Sequence, residues 1–190
     1  MGAFEHIILL LSFVYALAIT HLLSCVAGFI RAGRRLRFSW FHAFWMVNAL
    51  VVIITNWISF WDLRLLPSWS VGTIFFTFLL AFVNYLQAAL VCPEHQSEGT
   101  IDLRAFHAQQ GQRYIGAFAA LCAVAVVGNF IYGSTYNVAE WSAQNLAVIP
   151  MLAVALVATI VRRRWVDIAA PIALAAIWVF IFVELQGALH

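Results

Sequence analysis

The stretch Leu17–Arg37, LAITHLLSCVAGFIRAGRRLR, decides the fold. It is apolar apart from Thr20, His21 and Ser24, and it ends in four arginines, Arg31, Arg34, Arg35 and Arg37. With the residues before it, the apolar run covers roughly 4–30. A helix needs about 20 such residues to cross the hydrocarbon of a bilayer. Arginines directly behind a run of that length anchor the cytoplasmic end of a membrane helix. The opening MGAFEH has no basic leader, and Arg31 stands where a cleavage site would need small residues, so the run reads as a retained first helix.

The rest of the chain agrees. Of its 190 residues, 65% are hydrophobic and 9% charged, with a mean hydropathy of +0.95. Soluble domains carry about a quarter charged residues, so this chain has too little polar surface to cover a globule in water. All ten basic residues are arginines. Without lysine there is no Schiff base to a cofactor and no Walker-type phosphate site. A net charge of +2, with the arginines gathered at helix ends, points to a lipid surface and away from nucleic acid. Cys25, Cys92 and Cys122 form no CxxC pair, so a disulfide framework is not expected.

Working outward, six windows are long and apolar enough to span, roughly 4–30, 40–61, 71–92, 114–133, 143–161 and 166–185. They are separated by RAGRRLR, DLRLLPSWS, the polar stretch Pro93–Arg113, GSTYNVAEWS and RRRW. The expectation is an all-α bundle of six transmembrane helices, one domain over 1–190. Threading it places Arg31, Arg34, Arg35, Arg37, Arg104, Arg113, Arg162, Arg163 and Arg164 on one side and only Arg64 on the other. The positive-inside rule then puts the chain in the inner membrane with both termini on the non-cytoplasmic side. Trp40 and Trp165 fall at the inner interface, and Trp61, Trp69 and Trp141 at the outer one. The segment 100–113 reads as a short amphipathic helix on the inner surface, capped by Thr100. Pro150 and Pro171 interrupt only the second half, which argues against an inverted repeat.

Helical spacing predicts which faces are polar. On the first helix, His21, Ser24, Cys25 and Gly28 share a side with Leu17, opposite Leu9, Ile19, Leu23, Val26 and Ile30, and the first set is expected to pack inward. The second helix presents Trp45, Asn48, Val52, Thr55 and Ser59. The third aligns Thr73, Thr77, Asn84 and Gln87, with Phe75, Phe78 and Phe82 opposite. The fourth offers Phe118, Cys122, Ala125, Asn129 and Tyr132. The residues His21, Ser24, Asn48, Thr55, Asn84, Gln87 and Asn129 are therefore the expected lining of an intramembrane pathway. The competing reading is that such groups bond helix to helix, worth about 0.6 kcal/mol each.

His21 lies ten residues from Arg31, about 15 Å into the membrane. With Cys25 one turn away it is a candidate metal pair, although no second set of ligands accompanies it. Haem held between two histidines requires both at one depth. His42 lies near Trp40, about 12 Å from the level of His21, so haem is disfavoured and no cofactor is expected. Glu5, His6, Asp62, Glu140 and Glu184 gather at the outer mouth, either as a cation-attracting vestibule or as acids left outside by the arginine bias. CPEHQSE, at 92–98, holds ligand-type side chains that Pro93 separates from the helix, with His107 the one further candidate. No GxSxG or HExxH occurs, and Ser134 has no evident base, so an enzyme is the less expected class.

Three functional classes fit these residues. The leading one is a small channel or transporter for a cation, a proton or a small solute, which calls for oligomerisation if one bundle is too small to frame a pore. The alternatives are a non-catalytic subunit or sensor that binds other membrane proteins or lipids, and a haem- or quinone-binding redox protein. No motif ties the chain to a functionally characterised family.

Overall fold

The structure is a computed structural model that describes residues 3–66, 68–93, 100–133, 138–161 and 163–188, without the side chains at 3, 62, 65, 132, 133, 138–144 and 184–188. The fold is all-α. The helices are α1 (Ala3–Ala32), α2 (Trp40–Ser59), α3 (Val71–Val91), α4 (Leu103–Gly133), α5 (Val138–Ile160) and α6 (Arg164–Ala188). Among the described residues, five stretches are long and apolar enough to cross a membrane, in α1, α2, α3, α4 and α6. The fifth window, 143–161, lies in α5, whose apolar stretch among the described residues is Asn145–Ile160. The outer surface of the helices is that of a protein solvated by hydrocarbon. Phe13, Ile30 and Phe75 are 68%, 76% and 73% exposed.

Local chemistry sets the helix ends. α1 gives way at Gly33, whose φ of +52° is the left-handed conformation that ends helices and favours glycine. Ser70 caps α3, its hydroxyl accepting from the Thr73 backbone N–H at 3.1 Å. α4 begins behind Asp102, whose Oδ1 accepts from the backbone N–H groups of Arg104 and Ala105 at 3.0 and 2.9 Å. Those bonds hold the Asp102 carboxyl below its ordinary titration range, and the Arg37 guanidinium 3.4 Å from Oδ2 adds to the effect.

Two expectations are corrected here. The cap of the fourth helix is Asp102, two residues beyond Thr100. Nor is 100–113 a separate surface helix, because Leu103–Gly133 is one continuous helix of 31 residues. The glutamines, alanines and arginines of 104–113 are good helix formers and no proline interrupts them. At 1.5 Å per residue α4 is about 46 Å long, well beyond the hydrocarbon thickness.

The chain divides into two compact units, 1–117 and 118–190. In the first, α1 packs on α3 and α2, and α2 packs on α3. A two-residue parallel bridge pairs Leu36 with Ile101 and Arg37 with Asp102. It brings the α1–α2 and α3–α4 connections to one end, the end that carries Arg31, Arg34, Arg35 and Arg37. In the second unit α5 packs on α6. There Asn129 Nδ2 donates to Asn145 Oδ1 at 3.3 Å.

The packed face of α1 is also not the one expected. Ile7, Leu11, Tyr15, Ala18, Leu22 and Gly28 are buried, whereas Leu17, His21 and Ser24 are exposed. The buried line is rotated toward Tyr15, whose ring meets Phe60 edge-on at 5.6 Å. Its size and hydroxyl orient the helix more strongly than the small residues beside His21.

Candidate functional site

The 1–117 unit buries a column of polar side chains. Thr77, Asn84 and Gln87 lie on the inward face of α3, and Phe75 and Phe82 are exposed on the other. That split follows from the seven- and three-residue spacings of the polar groups, which return to one side of a helix. α2 adds buried His42 and Asn48. From the end where the two connections pair, the helical rise places His42 at about 3 Å, Gln87 at about 6 Å, Asn84 at about 10 Å and Asn48 at about 12 Å. The four groups thus succeed one another in depth on two packed helices. α1 contributes Tyr15, whose hydroxyl accepts from Asn84 Nδ2 at 3.4 Å.

Most polar groups in a protein interior have a hydrogen-bond partner. Here Asn84 Oδ1, Gln87 Oε1 and both ring nitrogens of His42 are buried and have none among the described residues. Each such atom costs about 1–3 kcal/mol if it stays unsatisfied. Thr77 and Thr55 differ, since their hydroxyls donate to carbonyls of their own helices, Ile74 at 2.8 Å and Val51 at 2.9 Å. Farther from the arginine-bearing end, Leu11, Ile53, Phe60 and Leu80 are buried, together with Thr77.

At the arginine-bearing end, His42 is fully buried in an aromatic cage. Phe106 meets its ring at 5.2 Å, Tyr114 at 6.0 Å and Phe29 at 6.3 Å, all edge-on. His107 lies on the far side of Tyr114, its Nδ1 hydrogen-bonded to the Tyr114 hydroxyl. Phe41 stacks on the His107 ring at 6.2 Å. Gly111 sits between His107 and Tyr114 on the same face of α4. A Cβ there would make ordinary contacts, 3.5 Å from His107 Nδ1 and 3.7 Å from the Tyr114 hydroxyl.

Of the expected pathway residues, Asn48, Asn84 and Gln87 come together in the column. Thr55 is half-buried and bonded within α2. Asn129 belongs to the second unit, paired with Asn145. His21 and Ser24 lie on the exposed side of α1, where the His21 ring rests 6.4 Å from Tyr85. The Cys25 thiol, one turn from His21, lies beside the Cys92 thiol of α3 and hydrogen-bonds it. No cluster of three metal-ligand side chains occurs among the described residues. His21 and His42 rest against different aromatic rings. Glu5 and His6 are exposed, and Arg64 lies over the Trp61 ring at 4.7 Å. Arg31, Arg34, Arg35, Arg37, Arg163 and Arg164 are exposed. Arg162, the segment 94–99 and the side chains of Asp62, Glu140 and Glu184 lie outside the described residues.

The His42–Tyr114–His107 group was not expected from the sequence. The spacing 107, 111, 114 is one face of a helix, but it shows only if the fourth helix starts before His107. Compared with known protein families, curated proteins and solved structures, the chain matches none.

Proposed function

We propose that the chain is an integral membrane carrier whose 1–117 unit binds a small cation or polar solute at the Asn48–Asn84–Gln87 column. The observation that supports this most is the set of buried acceptors, Asn84 Oδ1 and Gln87 Oε1, left without partners at membrane depth. Amide oxygens are suitable ligands for a hydrated or partly dehydrated cation and for hydroxyl or amide donors. An unsatisfied acceptor in hydrocarbon is costly, and the intramembrane polar groups that persist line pathways or cavities. The burial of apolar Leu11, Ile53, Phe60 and Leu80 on the same helices favours a carrier that alternates over a pore that stands open. In this reading the arginine-bearing end faces the cytoplasm, following the positive-inside rule, and the 143–161 segment completes a sixth span.

The test is uptake into liposomes containing the purified protein, using a panel of monovalent cations, protons and small neutral solutes. Asn84→Leu and Gln87→Leu are expected to abolish the uptake that the wild type shows, and His21→Ala to leave it unchanged. Uptake at wild-type rates in both leucine variants would contradict the reading.

A second reading has its own observation. His21, Thr20 and Ser24 are exposed together on α1, at a depth where polar groups in lipid are unfavourable. That face suits helix-to-helix assembly, either with another copy or with a larger membrane complex. Stoichiometric co-purification that His21→Leu disrupts would favour a subunit role.

A further inference from the structure

We infer that His107 and Tyr114 form a proton inlet to His42, so that the ion handled by the column is the proton. This inference rests on the carrier reading above. Three observations carry it. His42 is wholly buried with both ring nitrogens unpartnered among the described residues, so its ring can turn without breaking a hydrogen bond. Tyr114 lies between the two imidazoles, with its ring 6.0 Å from that of His42 and 5.9 Å from that of His107. His107 is only half-buried, and its Nδ1 already engages the Tyr114 hydroxyl. Phe41 covers one face of the His107 ring.

Together these make a graded path from the water at the arginine-bearing end to a dry imidazole. His107, in its Nδ1–H tautomer, takes a proton at Nε2. Its Nδ1 proton passes to Tyr114 Oη, and the hydroxyl proton of Tyr114 passes to a ring nitrogen of His42 that has turned toward it. One proton has then entered and one has reached His42. Tyr114 is again neutral, and no electron has moved. His107 returns to its first tautomer by exchange with water.

The groups facing His42 are Phe29 from α1 and Phe106, His107 and Tyr114 from α4. Among the described residues no carboxylate faces His42 in this cage, so the imidazolium is transient. Gln87 Oε1, the next buried acceptor in depth, can accept a hydrogen bond from a water that takes the proton from His42, without itself being protonated.

The wild type is expected to dissipate a pH gradient across liposomes loaded with a pH-sensitive dye. Tyr114→Phe keeps the ring and removes the hydroxyl, and His107→Ala removes the outer imidazole. Each should slow proton flux by about a hundredfold, a contribution typical of positioned proton-transfer groups. Thermal stability checks that both variants stay folded. Added imidazole should restore flux in His107→Ala but not in Tyr114→Phe, which a merely structural role for His107 would not produce. Folded variants that pass protons at wild-type rates overturn the inlet alone. A wild type that transports a solute but passes no protons also overturns the inlet and leaves the carrier reading standing. A wild type that transports neither overturns both.

Discussion

Asn84 shows how one side chain can be stabilising in one atom and unfavourable in the other. Asn84 Nδ2 reaches the Tyr15 hydroxyl, while its Oδ1 meets nothing described. Removing the unsatisfied Oδ1 relieves its cost, whereas leaving the buried Tyr15 hydroxyl without its donor costs about 1–3 kcal/mol. The two effects offset, so Asn84→Leu is expected to melt within about 2 kcal/mol of the wild type even where transport is lost. A loss well beyond that range would mean that Asn84 serves to hold α3 to α1. His21→Ala, at an exposed position, should stay within about 0.5 kcal/mol of wild-type stability. The α3 residues were legible in the sequence because four polar groups stand against three phenylalanines on one helix. The α1 face was not. In a bilayer large apolar side chains suit both the packed and the lipid side, so hydropathy does not tell the two apart. Tyr15, apolar in body and polar at its tip, fixes the buried side.

At the scale of the element, α4 carries the main departure from the sequence reading. Its first three turns are polar, and polarity there does not mark the end of a helix. Gly111 tests this continuity. If 103–133 is one rigid helix, Gly111→Ala gains up to about 1 kcal/mol of helix propensity. The added methyl would meet His107 and Tyr114 at ordinary contact distances. A hinge at 111 between a surface helix and a spanning one would instead show no gain in melting temperature.

Asp102 gives the pH dependence of the same element. Its folded carboxyl is lowered by the α4 backbone amides and by Arg37. Its stabilisation is thus present above the ordinary carboxylate value of about 3.9 and is lost as pH falls through the lowered folded value. Asp102→Ala should melt below the wild type at neutral pH. That difference should close as the pH falls into the acid range. A difference that stays constant with pH would remove the ionised cap from the account.

For the whole molecule, a charged fraction of 9% was enough to predict a chain poor in polar surface, and apolar windows of about 20 residues were enough to predict helices. The arginine clusters and serine- and proline-containing breaks placed α2 and α3 within two residues of where they lie. The connection between Arg37 and Asp102 was not readable, since it joins loops 65 residues apart through one ion pair and a two-residue bridge. The buried cage at His42 was hidden for the same reason, being built from residues of α1, α2 and α4 that no local pattern links.

The central claim is that the polar column of the 1–117 unit is a wet or ligand-bearing site inside the membrane. It is tested most directly by solid-state NMR in lipid bilayers, following magnetisation transfer from water to the side-chain amides of Asn84 and Gln87. The account predicts transfer to both amides and none to the ring protons of Phe75 and Phe82, which face lipid. Amides as dry as those phenylalanines would contradict it and leave Asn84 and Gln87 as helix-packing groups.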